Sequence, residues 1–364
     1  MGRMLLRLLE NLGHEPVLAS RFRSYEGAGD PDRQEQLRQE GEAEASKVLD
    51  AMRGRRPDIW LTYHLYHKAP DWLGPKIASA LGIPYVVVEA SLAQKQFAGP
   101  WRSGFLASRT QIEAADVVLA MTARDAGGLA PLVRPEALRR LPPFIDTEPL
   151  RQAAAERAGH RNAIARDFRL DGERPWLLAV AMMREDVKLA SYRLLAQALR
   201  GMSSPSWQLL VVGDGPARTD VEALFEGLPV AFVGSREETA LPAFYAAADL
   251  YVWPACDEAY GMAMLEAAAA GLPVVAGREG GVPDIVEDGV SGILVEPRDP
   301  RALGAAVDRL LDDVSLCRTM GSAAASRARE RHSLDAAGQI MTEALGAAVA
   351  AHRIRKDAVT CASA

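Results

Sequence analysis

Apolar positions along this chain follow two rhythms. Over residues 3–12 they recur at helical spacing, with Leu5, Leu6, Leu8 and Leu9 set among Arg3, Arg7 and Glu10, and Gly13 follows as a stop. The short apolar run at 16–19 reads as a strand, and the Glu-, Gln-, Arg- and Ala-rich stretch at 23–54 as a polar loop followed by a surface helix ending near Arg53. Compact apolar runs at 59–63, 85–88 and 117–120 then read as strands, with helical patterns at 72–81 and 102–115 between them. Strands alternating with helices imply a parallel sheet covered on both faces.

The segment 141–149 breaks this alternation with Pro142, Pro143 and Pro149, which fix their own φ and disfavour helix before them. It reads as an interdomain linker. A second series of strands is expected at 176–181, 208–212, 230–233, 250–253, 273–276 and 292–295. The fold class is therefore α/β, with two doubly wound domains. One spans 1–145 and the other 146–330, and a C-terminal helix at 331–355 packs back toward the first. Ligands are expected at the carboxyl ends of the strands and in a central cleft. The tail DAVTCASA is small and polar and expected to fray.

Length and composition support this picture. The chain has 364 residues, 49% of them hydrophobic and 25% charged, enough for two ordinary cores and outside the range of disordered chains. Net charge is −6 with Lys and Arg dispersed, which argues against a nucleic-acid partner and for a small-molecule site. Cys256, Cys317 and Cys361 lack metal-binding spacing and suggest a reducing, cytoplasmic setting. No apolar run reaches the roughly 18 to 20 residues needed to span a bilayer. The 3–12 helix is read as a packing helix, with peripheral contact at the inner face of a membrane as its second reading. Oligomeric state is left open.

The densest chemical signal runs from Trp253 to Ala276. A strand ends, a loop presents Glu258, a helix begins near Gly261, and Glu266 follows eight positions after the first acid. On a continuous helix that spacing is roughly 12 Å, which places both acids on similar faces and approximates the distance from hexose to ribose in a nucleotide sugar. Tyr260 and the N–H groups of Gly261, Met262 and Ala263 lie at the helix start, where free donors and the helix dipole suit a diphosphate. Glu258 would then accept from sugar hydroxyls and Glu266 from the ribose diol; an N-cap acid and an ordinary helix glutamate are the plainer reading. Gly213-Asp-Gly215 after a buried strand reads as a phosphate-proximal loop or a simple tight turn. Arg184 and Lys188 follow another strand end, where they could neutralise a leaving diphosphate or lie in a solvated loop.

The order of these elements resembles family 4 of the retaining GT-B glycosyltransferases over most of the chain. The resemblance is carried by acid, seven residues, acid at Glu258 and Glu266, then AAAAGLPVVA, Gly280-Gly281-Val-Pro-Asp284 and Gly289-Val-Ser-Gly292. It implies two Rossmann-like domains facing a central cleft and a UDP- or GDP-sugar donor. It also implies transfer to a glycan, lipid-linked or small acceptor with retention, without a protein nucleophile. Glu258 resembles the residue that contacts the donor sugar, Glu266 the one that holds ribose, and Lys188 the one on the diphosphate. No metal or tightly bound cofactor is implied. Polysaccharide assembly is the family's habit.

Three departures accompany it. Met182 holds the place of an expected arginine, with Arg184 as the substitute, and the stretch 86–91, where the N-terminal domain often carries a histidine, reads VVVEAS without one. The chain also opens in a helix, so the first strand of its N-terminal domain is expected to be missing, through a truncated frame or late start of roughly 10 to 20 residues. Tyr63, His64, His67 and Glu89 are the acceptor-side candidates, with His64 and His67 placed just past the 59–63 strand. His64 and His67 are three apart, but no further ligands stand at metal spacing. His14 reads as structural. Two other functions compete: a nucleotide-sugar-binding protein with little or no transfer, and a GT-B nucleotide-sugar epimerase.

Overall fold

A computed structural model describes residues 1–362, and it divides into Met1–Pro142 with the described residues from Ala337 onward as one unit and Pro143–Ala336 as the other. The first division falls inside the expected linker, three residues before the expected boundary, because Pro142 and Pro143 are adjacent breakers. The second falls at 336/337, within the last helix, later than the expected 330. No helix among the described residues is long and apolar enough to cross a membrane.

In the first unit, α1 (Gly2–Asn11) buries Leu5, Leu8 and Leu9 and ends before Gly13, whose φ of 79° suits a residue without Cβ. The expected strand at 16–19 is not formed: this stretch has no regular structure, and Val17 and Leu18 stay more than 60% exposed. Pro16 removes one backbone donor, and the run is too short to recover the loss by burial. Asp30 caps α2 (Pro31–Ala51) by accepting from the N–H groups of Asp32 and Arg33. There follow β1 (Trp60–Leu65), α3 (Gly74–Leu81), β2 (Tyr85–Ala90), α4 (Arg102–Ala114), β3 (Val117–Ala120), α5 (Ala123–Leu129) and β4 (Leu138–Arg140).

These four strands form one parallel sheet in the order β1-β2-β3-β4. β4 is absent from the sequence expectation because its three residues are half-buried and two are arginines, so no apolar run announces it. At the amino ends of the strands, buried Asp116 accepts from the Tyr85 N–H at 2.9 Å and pairs with Arg355 of the C-terminal helix.

The second unit opens with α6 (Glu148–Ala155) and α7 (Arg157–Phe168), then runs β5 (Trp176–Val180), α8 (Val187–Arg200), β6 (Gln208–Val212), α9 (Arg218–Leu224), β7 (Val230–Gly234), α10 (Leu241–Ala247) and β8 (Leu250–Trp253). It continues through α11 (Met262–Ala269), β9 (Val274–Gly277), the one-turn α12 (Val282–Ile285), β10 (Gly292–Val295), α13 (Pro300–Asp312), α14 (Val314–Arg331) and α15 (Leu334–Ala362), which crosses into the first unit. The strands are near-continuous Val, Leu and Ala because helices cover both faces.

Their order is β10-β9-β8-β5-β6-β7. From β5 the chain winds outward through β6 and β7, then returns to place β8 against β5 and winds the other way. The direction reverses between β5 and β8, where α/β sheets of this type leave a crevice at the strands' carboxyl ends.

Asp249 pins the opposite end of this pair. Its carboxylate takes Arg157 at 2.6 Å, Arg161 at 3.0 Å and the Trp176 N–H at 2.7 Å, so one acid ties α7 to the first residue of β5 and the residue before β8. Asp249→Ala is expected to leave two partly buried guanidinium groups and a buried N–H without that partner. A loss of roughly 2–4 kcal/mol in urea unfolding is expected.

Candidate functional site

Two loops leave the carboxyl ends of β5 and β8. The loop after β5 carries Met182, Arg184 and Asp186, and Asp186 caps α8 through the Lys188 N–H at 2.9 Å. The cap brings Lys188 into the first turn, and its ammonium reaches Glu258 on the loop after β8 at 2.6 Å, with both side chains about five-sixths buried. Beneath the ammonium lies Trp253, 5.7 Å from nitrogen to ring centroid, and Trp253 meets Tyr192 edge-on at 5.0 Å. Arg184 pairs with Asp186 at 2.9 Å and remains half exposed, and Met182 is 56% exposed.

Glu258 stands on a loop, whereas α11 starts only at Met262. The spacing on a continuous helix therefore does not apply, and the loop conformation sets where Glu258 stands. Ala255 and Asp257 have φ of 61° and 48°, costly values for residues with Cβ. The loop is held there by Ser191, whose hydroxyl accepts from the Cys256 N–H at 3.1 Å, and by Arg298, paired with Asp257 at 3.1 Å. Gly280, at φ 58°, fits under the same loop: a Cβ there would lie 1.7 Å from the Glu258 carbonyl oxygen.

Gly261 caps α11 in the left-handed conformation, φ 82°, and no side chain caps the first N–H groups of the helix. Glu266, on the second turn of α11, accepts from the hydroxyl of Tyr245 at 2.6 Å. Burial raises the Glu266 carboxyl above the ordinary glutamate range, opposed by that hydrogen bond. Gly213 and Gly215 have a packing reason for lacking Cβ: added atoms would lie 1.9 Å from the Ala181 carbonyl and 2.3 Å from that of Met183. Asp214, exposed on this turn, accepts from the Gly215 N–H and pairs with Arg218, which lower its pKa.

In the first unit, His64 lies within β1, not beyond it as expected, because the strand runs two residues further than its apolar signal. Its Nδ1 is 2.6 Å from Glu89 Oε1 at the end of β2. Tyr63 also bonds to Glu89, and its pKa is pushed up by burial and then by that carboxylate. His67 lies apart, edge-on to Tyr66 and Trp101 at 5.3 and 5.8 Å. Burial and the nearby Lys68 and Lys95 lower its pKa.

Residues 174–313 match the family model described as glycosyl transferases group 1. The D-inositol 3-phosphate glycosyltransferase of Salinispora tropica is 32% identical over 264 residues, 68% of this chain and 54% of that protein. Over that region the chain is similar to the group 1 glycosyltransferases. A GDP-mannose-dependent alpha-(1-6)-phosphatidylinositol monomannoside mannosyltransferase of Mycobacterium tuberculosis is 31% identical over 57% of this chain and 56% of its own length. Among solved structures, Anabaena Alr3699/HepE in complex with UDP superposes with a TM-score of 0.69 at 19% identity, covering 84% of this chain and 82% of that one. That likeness is of fold, GT-B. The chain spans less than two thirds of the length of the first curated relatives it matches.

Several residues that support the Glu258 loop and Glu266 carry no signal in the sequence. Ser191 reads as a small polar helix residue and Tyr245 as an apolar one in FYAAAD. Gly280 enters the sequence reading only through the resemblance, whereas its reason lies 22 positions away at the Glu258 carbonyl.

The buried Glu266 carboxyl gives a test by pH. A carboxyl whose pKa is raised in the folded state binds its proton more tightly there than when unfolded, so its contribution to stability falls as pH rises from the ordinary glutamate value to the raised one. Glu266→Gln removes that dependence and keeps a partner for Tyr245. The ligand-free variant is expected to gain on the wild type in Tm across that window as pH rises.

Proposed function

We propose that this chain transfers a sugar from a UDP- or GDP-sugar to a hydroxyl-bearing acceptor with retention of configuration. The observation that carries the reading is the Lys188–Glu258 pair at the reversal point of the second sheet, with the α11 N-terminus and Glu266 on the same loop-helix unit. A nucleoside diphosphate has three kinds of group to satisfy, and these residues answer each. Glu266, held by Tyr245, accepts from the ribose diol. The N–H groups at Gly261, Met262 and Ala263 and the ammonium of Lys188 meet the diphosphate. Glu258 accepts from hydroxyls of the donor sugar.

Before the donor arrives, Lys188 and Glu258 neutralise one another, which makes their burial tolerable. On transfer, negative charge grows on the departing diphosphate oxygen, and the fixed cation and N–H groups oppose it without reorganising. Arg184 would add to that charge if it left Asp186. Its half-exposed pair is weak enough to exchange. The relative named for GDP-mannose and the fold neighbour seen with UDP support a nucleotide-sugar donor and leave both bases in play. No resident metal is required by this scheme, and Tyr63, His64, His67 and Glu89 serve the acceptor.

The test is protection against thermal unfolding by UDP-glucose, UDP, GDP-mannose and GDP. One base series is expected to stabilise the protein by about 2.7 kcal/mol at a hundredfold excess over Kd. Glu266→Ala is expected to abolish the shift. If neither series protects the wild type, the reading fails.

A further inference from the structure

The loop that carries Glu258 is gripped from two sides, and both grips lie within the second unit. One comes from α8. Ser191 is fully buried, and its hydroxyl donates to the Val187 carbonyl at 3.1 Å while accepting from the Cys256 N–H, also at 3.1 Å. Ser191 stands three positions after Lys188, one turn along the same helix, and Cys256 stands two before Glu258. One hydroxyl therefore joins the helix bearing the cation to the loop bearing the acid, and the 2.6 Å Lys188–Glu258 pair forms just beyond that join.

The other grip comes from α14 by way of α12. After β9 the chain passes against the Glu258 peptide: the Gly281 N–H donates to the Glu258 carbonyl at 3.4 Å, and Gly280 makes room for that carbonyl by lacking Cβ. It then forms the single turn of α12, with Val282, Ile285 and Val286 buried. One turn of helix has little stability of its own, so its placement is set by what holds its two ends. At the carboxyl end that is Arg327 of α14. Its Nε donates to the Ile285 carbonyl at 3.1 Å and its Nη2 to the Asp284 carbonyl at 3.4 Å, and Nη1 pairs with Glu287 at 2.7 Å.

A cation suits the carboxyl end of a helix, but water or a glycine serves an exposed turn as well. Here the Arg327 side chain is only 16% exposed, so its desolvation works against it. What the buried guanidinium adds is a fixed length: α14, one turn of helix and the Glu258 carbonyl are joined in series. Glu258 needs such support more than its neighbours in the site. Glu266 lies within α11 and is held by Tyr245, and Lys188 lies within α8 behind the Asp186 cap. Glu258 follows a loop with left-handed Ala255 and Asp257.

We propose that Ser191 and Arg327 are positioning residues for Glu258, and that they set its carboxylate for the hydroxyls of the donor sugar while nucleotide binding is left to other groups. The inference rests on the transferase reading above. It makes recognition of the sugar separable from recognition of the nucleoside diphosphate.

Two measurements on the full chain test it. Hydrogen exchange of the ligand-free protein compares wild type with Arg327→Met, and faster exchange is expected at 281–286 and also at 256–261, on the far side of α12 from the substitution. Calorimetric titration then compares UDP with UDP-glucose and GDP with GDP-mannose. In Ser191→Ala and in Arg327→Met the ratio of the nucleotide-sugar Kd to the diphosphate Kd is expected to rise by about tenfold, with the diphosphate Kd itself kept within about twofold. Arg327→Lys, which keeps a cation for the two carbonyls, is expected to restore part of the ratio, and it carries the same comparison if Arg327→Met does not fold.

A ratio unchanged in either Ser191→Ala or the Arg327 variant overturns the proposal. So does an equal loss of diphosphate and nucleotide-sugar binding, which marks a purely structural role, and so does exchange that quickens at 281–286 alone. In each of these cases diphosphate binding by the wild type leaves the donor site standing. If the wild type binds neither diphosphates nor nucleotide sugars, the transferase reading falls, and the positioning of Glu258 for a sugar with it.

Discussion

The pairing of β5 with β8 is the constraint on which the second unit depends. It is two residues deep, Leu177 with Leu250 and Leu178 with Tyr251. Beyond those residues each strand continues toward a different neighbour, β5 toward β6 and β8 toward β9. Their ladder ends there, and two loops leave from their carboxyl ends. Asp249 holds the amino ends together through two arginines and a backbone N–H. A ligand site follows from this topology before any side chain is specified.

Side chains then make the opening specific, and backbone strain does much of the placing. Ala255 and Asp257 at the Glu258 loop, and His64 and Glu89 at the end of the first sheet, account for four of the six non-glycine residues with positive φ among the described residues. The compensations are local: Ser191, Arg298 and the missing Cβ of Gly280 around one loop, and the Tyr63 hydroxyl and His64 imidazole around Glu89. Strain persists only where neighbours over-determine the conformation, and here those neighbours surround carboxylates. Buried charge is handled in the same way. Lys188 is the partner that makes Glu258 tolerable, and Tyr245 stands close enough to Glu266 to offset part of its desolvation.

The sequence by itself determined the α/β class, the two series of strands and the position of Glu258 and Glu266 just past one strand. Those properties are local: uninterrupted apolar runs of four or five residues between helical stretches report burial on both faces, and the acid-seven-acid spacing lies within one loop and one helix. Where local signal was weak the expectation failed, as at the exposed run containing Val17 and Leu18 and at the arginine-bearing β4. Tertiary structure decided which groups meet. Lys188 with Glu258, Tyr245 with Glu266 and His64 with Glu89 are separated by 70, 21 and 25 positions, and each contact exists only because strand order places distant segments side by side. A one-dimensional pattern records what a residue buries, but not which neighbour a parallel crossover will bring to it.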